Sequence, residues 1–110
     1  MNWDATSAYA QFGAGAGNST TQVRTDIYFP VQLRKAPTAI DYPTVSTYFT
    51  YIKYDDTGGG SPSAVSLDTN LSDTTVGRVN WTGTSITAQG PYYVRGQNQT
   101  GAYLGWSAEL

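Results

Sequence analysis

Neither cysteine nor histidine occurs in this chain. Their absence removes disulfides, thiol nucleophiles, the commonest general base and the usual soft and borderline metal ligands. Most catalytic constellations are excluded with them, so the chain reads as a non-enzyme with no cofactor and no metal. Small extracellular domains of higher organisms often rely on disulfides. A cysteine-free chain of this size therefore points to cytosolic assembly, with stability drawn from core packing or oligomerisation. Charge is sparse too, with 6 basic and 8 acidic residues and a net charge of -2. These charges form no runs and leave no footprint for nucleic acid or an anionic membrane. No apolar stretch approaches the roughly 20 residues of a membrane helix, so membrane insertion is not expected. Residues 1–12 lack a basic segment followed by an apolar one, and no secretory signal is expected.

Strong helix formers are scarce as well: Glu109 is the single glutamate, and Lys35 and Lys53 are the only lysines. Threonine, serine, glycine and tyrosine dominate, and β-branched or aromatic residues fill the periodic segments. At 110 residues there is room for one hydrophobic core and not for two. The clearest strand covers residues 23–33. Val23, Thr25, Ile27, Phe29, Val31 and Leu33 share one face, and Arg24, Asp26, Tyr28 and Gln32 the other. Pro30 cannot donate to a ladder and marks a bend or an edge position there. Further strands are expected over 38–42, 45–54, 64–67, 77–81, 85–88, 92–95 and 102–110, with turn residues between them at intervals of roughly 8 to 12 residues. The expected fold is thus an all-β sandwich of about eight antiparallel strands.

Two segments read as irregular. Residues 13–18, GAGAGN, together with the weakly patterned start, read as a flexible lead-in over 1–18 ahead of a sandwich domain over 19–110. Residues 55–63, DDTGGGSPS, read as an exposed, mobile loop tip. The last strand alternates Ala102, Leu104, Trp106, Ala108 and Leu110 against Tyr103, Gly105, Ser107 and Glu109 up to the final residue. That pattern is expected of a structural element and not of a frayed tail.

Nine tyrosines and three tryptophans exceed what one small core holds, so several are expected on the surface or at a subunit contact. Two sets qualify as a glycan shelf, on which aromatic faces stack against sugar rings while polar neighbours bind hydroxyls. The first is Tyr48, Tyr51 and Tyr54 with Asp55 and Asp56, and the second is Tyr92, Tyr93 and Arg95. The alternative reading of both sets is that the tyrosines line sandwich and subunit contacts. Carboxylates at Asp55 and Asp56, or at Asp68 and Asp73, match the residue types of a glycosidase pair. Their glycine, serine and threonine neighbours read as loop instead, and no calcium-loop pattern surrounds them. The N-x-[ST] triplets at Asn18, Asn70, Asn80 and Asn98 are what a serine- and threonine-rich chain produces by chance. Surplus aromatics, and a strand over 45–54 with large side chains on both faces, require more burial than a monomer offers. Self-association is therefore expected.

The segment Phe29-Pro30-Val31-Gln32-Leu33-Arg34-Lys35-Ala36-Pro37-Thr38 resembles one that recurs in C-terminal head domains of bacteriophage tail-fibre, head-fibre and minor structural proteins. The ending Ser107-Ala108-Glu109-Leu110 is similar to the terminus of many of those domains, and Asn18-Ser19-Thr20-Thr21 fits their composition. Lys35 stands where alanine is common in that family, and Leu33 where methionine is. The resemblance implies a jelly-roll-like sandwich, a trimer about the fibre axis, and a place in the virion beside other virion proteins after assembly in the bacterial cytoplasm. It also implies a role in attachment to host-surface carbohydrate or in capsid decoration. Arg34, Pro37, Trp106 and Leu110 then serve the structure, with the Arg34 fork satisfying carbonyls or a carboxylate. Decoration without a receptor, and a free carbohydrate-binding module, are the alternative readings.

Overall fold

The computed structural model describes residues 2–4, 11–29, 32–33, 35–54, 58–69, 72–98 and 101–107. Among them the chain forms ten strands and one helical turn. The strands are β1 (Asn2–Asp4), β2 (Gln11–Ser19), β3 (Gln22–Tyr28), β4 (Ala39–Asp41), β5 (Phe49–Lys53), β6 (Gly59–Gly60), β7 (Ala64–Leu67), β8 (Val76–Thr82), β9 (Pro91–Gly96) and β10 (Tyr103–Ser107). The helical turn, α1 (Val45–Tyr48), precedes β5. All pairings are antiparallel. They build a three-stranded sheet, β1-β10-β4, and a seven-stranded sheet, β6-β5-β9-β2-β3-β8-β7. The pairing is nested: β1 lies on β10, β2 on β9, and β3 on β8.

The larger sheet is strongly curled, and chain length dictates it. Its two edge strands, β6 and β7, are separated only by residues 61–63. A chain that short reaches about 14 Å between Gly60 and Ala64. Seven flat strands at their usual spacing would put the edges about 29 Å apart. Curling brings the inner faces of opposite strands together over the core. Phe49 of β5 touches Trp81 of β8 with ring centroids 5.0 Å apart, and meets Phe12 of β2 edge-on at 5.2 Å.

Strict alternation places this core. Val23, Thr25 and Ile27 of β3 point inward, and Trp81, Val79 and Gly77 of β8 stand directly opposite them. The buried indole of Trp81 donates to the Thr25 hydroxyl at 2.9 Å, so its polar edge is satisfied inside the core. Gly77 leaves room for Trp106 of β10: a Cβ there would lie 2.5 Å from the indole Cζ3. Trp106 also packs edge-on against Phe29 at 5.0 Å, which ties the small sheet to the large one. The buried Ala102, Leu104 and Trp106 follow the alternation expected of the last strand, and Ala108 and Leu110 lie outside the described residues.

Several expectations need correction. The supposed lead-in becomes, from Gln11 on, strand β2 at the centre of the seven-stranded sheet. Its glycines allow close approach and do not signal slack. A Cβ on Gly17 would collide with the Thr87 carbonyl, and one on Gly13 would lie 2.9 Å from Ile27. The strand expected over 45–54 starts only at Phe49, because Val45, Tyr48 and Phe49 have the i, i+3, i+4 spacing of a helical turn. Backbone donation from Tyr48 to Thr44 at 3.0 Å closes that turn. Residues 85–88 form a loop, with left-handed backbone at Ser85 and Gln89 breaking any strand, although Ile86 is buried. The strand expected over 23–33 ends at Tyr28, and Pro30 lies outside the described residues. Of the loop expected over 55–63, Gly59–Gly60 pair with β5, and Pro62 is fully buried.

Candidate functional site

The two aromatic sets separate once the strands are paired. In β9, Tyr92 and Val94 point into the core while Tyr93 and Arg95 point outward. In β5, the core takes Phe49 and Tyr51. Tyr51 is only 3% exposed, and its hydroxyl donates to the Thr84 carbonyl at 3.0 Å and accepts from the Thr84 amide at 3.1 Å. Tyr92 is 2% exposed, and its hydroxyl accepts the Thr87 amide at 2.9 Å. These two tyrosines are core residues whose polar tips anchor the 83–90 loop, which corrects their place on a glycan shelf. Tyr48, on α1, is half-buried and packs against the core cluster, apart from the β5–β9 surface.

What stays on the surface is a smaller group. Tyr54, at the end of β5, is 63% exposed and meets Tyr93 edge-on with centroids 5.9 Å apart. Arg95 follows on the same outward face of β9, opposite Thr50 of β5. Asp55 and Asp56 lie outside the described residues, as do Arg34 and Leu110. Pro37 and Trp106 are buried. Asp73 is engaged in a turn: its Oδ1 accepts from the Thr75 amide at 2.7 Å, the Thr75 hydroxyl at 2.8 Å and the Val76 amide at 3.0 Å. The Thr75 bonds above all hold this carboxyl below the usual carboxylate range.

The sequence reading missed the surface that continues this group across the sheet. Tyr93 stands opposite Ala14 of β2, Ala14 opposite Asp26 of β3, and Asp26 opposite Arg78 of β8. Two residues along each strand, on the same face, Pro91, Ala16, Arg24 and Asn80 form a parallel row. The alanines make a low floor between taller side chains. Arg78 grips Asp26 through both Nε and Nη2, the latter at 3.1 Å, and this bond raises the guanidinium above its ordinary value. Arg24 Nε and Asn80 Oδ1, on directly paired residues, are shielded from solvent and carry no hydrogen bond. A depression of about 310 Å³ lies along β2 between Ala16, Asn18, Arg24, Asp26 and Arg78. A second, of about 520 Å³, shares Asp26 and reaches Gln11, Ala14 and Tyr28. Alternation over residues 22–28 already put Arg24 and Asp26 outward, but only the register sets them beside Arg78 and across from Tyr93.

Among the described residues no three acidic side chains cluster as a metal site, and no helix is long and apolar enough to cross a membrane. No protein-family model, curated protein or solved structure matches the chain.

Proposed function

We propose that this chain is the homotrimeric head domain of a virion fibre, a jelly-roll-like β-sandwich that attaches to a host-surface glycan. The observation that carries the attachment role is the outward group of Tyr54, Tyr93 and Arg95. It offers an edge-to-face aromatic pair beside a guanidinium, on a rigid sheet. Exposed aromatic faces stack on sugar rings and their polar tips tolerate water. The nested pairing of β1 with β10, β2 with β9 and β3 with β8 supports the jelly-roll part, since winding one long antiparallel ribbon around a core produces it. Tyr28, Tyr42 and Tyr54 remain exposed, which supports a further contact, either with ligand or with a second and third copy. The motif around Phe29 and Pro37 supports the virion, assembled in a bacterial cytoplasm, as the setting.

The test has two readouts. Light scattering is expected to give a mass near three times 11.8 kDa. On a glycan array, Tyr54→Ala is expected to lose the parent's binding while keeping its mass. Undiminished binding and host-cell adsorption by the folded variant would remove the attachment role and leave capsid decoration. A monomeric mass at high concentration would remove the trimer.

A further inference from the structure

Resting on the attachment reading just given, we infer that the glycan has a second subsite on the same sheet face, a depression beside Tyr28 that takes a neutral hexopyranose ring. A bulge in β2 makes the depression. Gln11 stands opposite Arg95 of β9, but Gly13 stands opposite Val94, so β2 advances two residues for one on its partner. The extra residue is Phe12, which turns into the core at 2% exposure. With Phe12 inward and no side chain on Gly13, nothing tall rises from β2 between Gln11 and Ala14. The depression of about 520 Å³ opens there, within the range of roughly 300–1,000 Å³ usual for small-molecule sites.

The lining supplies an aromatic face and two hydrogen-bonding groups. Tyr28 ends β3 and, at 68%, is the most exposed large apolar side chain among the described residues. Its ring offers a face for the C–H side of a pyranose. Asp26 is held still, since Arg78 binds both of its oxygens, and little further ordering is needed there when a ligand binds. Each of those oxygens keeps a lone pair for a sugar hydroxyl. The exposed Gln11 amide both donates and accepts. Among the described lining residues none is cationic, so the lining matches hydroxyls and not a sugar carboxylate or phosphate. Register sets this subsite beside the first: Asp26 stands opposite Ala14, and Ala14 opposite Tyr93. The two strand spacings between β3 and β9 come to roughly 10 Å, the reach of a disaccharide, so one short glycan covers Tyr54, Tyr93 and Tyr28 together.

The experiment titrates the intact protein with the methyl glycosides of glucose, galactose and mannose, and follows the backbone amides of Ala14 and Asp26 by NMR. With about 13 non-hydrogen atoms, the preferred hexoside is expected to shift those amides with a Kd of about 1 mM. Tyr28→Ala, at an exposed position, should weaken that binding at least about tenfold without moving the melting temperature, whereas Tyr28→Phe should retain it. Gln11→Ala should weaken it too, and decides the question should Tyr28→Ala fold poorly. The fully O-methylated glycoside, which donates no hydrogen bond to Asp26, should bind at least about tenfold more weakly than its parent sugar. Amides that none of the three sugars shifts, undiminished binding by folded Tyr28→Ala or Gln11→Ala, equal binding of the O-methylated sugar, or tighter binding of methyl glucuronide than of methyl glucoside would each overturn the inference. Any of these results, found together with array binding that Tyr54→Ala removes, would overturn it while leaving the attachment role standing.

Discussion

Tyr51 and Tyr54 are three residues apart and identical in chemistry, so truncating each in turn isolates what burial alone contributes. Tyr51 is 3% exposed and Tyr54 is 63% exposed. The Tyr51 ring is enclosed between Gly60 and Gly83, so tightly that a Cβ on Gly83 would lie 2.5 Å from it. It also touches Tyr92, with ring centroids 6.2 Å apart. Replacing a large buried aromatic with alanine costs about 3–5 kcal/mol. A domain of this length unfolds with an entropy of about 0.23 kcal/mol/K, so each kcal/mol moves the midpoint by about 4 °C. Tyr51→Ala is therefore expected to melt about 13–22 °C below the parent. Tyr51→Phe keeps the ring and loses only the two hydrogen bonds to Thr84, whose exposed backbone rehydrates. That loss is about 1 kcal/mol, or about 4 °C. Tyr54→Ala removes an exposed side chain and should stay within about 0.5 kcal/mol, or about 2 °C. Differential scanning calorimetry at one fixed protein concentration reads all three, since association would otherwise shift the midpoint. A Tyr51→Ala variant melting with the parent, or Tyr54→Ala falling as far as Tyr51→Ala, would refute the inward placement of Tyr51.

Thr25→Val should cost about 1–3 kcal/mol, because it keeps the shape of the side chain and leaves the Trp81 indole N–H buried without an acceptor; an unchanged urea midpoint would contradict this. Gly77→Ala is expected to cost about 1–3 kcal/mol by overpacking against Trp106, and near-ultraviolet circular dichroism should show the indole displaced. The Asp73 carboxyl is held below its unfolded value by donors from Thr75 and Val76. Its contribution to stability is therefore present above the unfolded value near pH 4 and lost as pH falls through the lower folded value. Asp73→Ala should flatten the loss of stability on acidification in that window, and an identical acid limb in parent and variant would exclude this role.

The alternating pattern of residues 22–28 determined strand type and inward face without help from anything distant, because side chains in a strand alternate by geometry, and residues 76–82 and 91–96 were legible as strands. Residues 64–67 and 103–107 were legible for the same reason. The absence of cysteine and histidine likewise removes disulfides and any thiol or imidazole chemistry from the sequence alone. Composition misled where glycine and alanine made β2 look slack, since a glycine set for close packing and one set for freedom are the same residue in a sequence. Periodicity misled at 45–48, where four residues are too few to separate a period of 2 from a period of 3.6.

Which tyrosines reach the surface was a matter of tertiary structure. Tyr51 and Tyr92 go inward because β5 and β9 pair in one particular register, in which Tyr51 stands opposite Val94 and Ile52 opposite Tyr93. A slip of one residue would exchange the two faces. Only the same long-range pairing sets Arg24, Asp26 and Arg78, the last of them 52 residues away from Asp26 along the chain, beside the alanine floor of β2. Alternation is local and is written in the sequence. The choice of neighbouring strand depends on the curled sheet closing over a shared core, and that is decided by the whole chain at once.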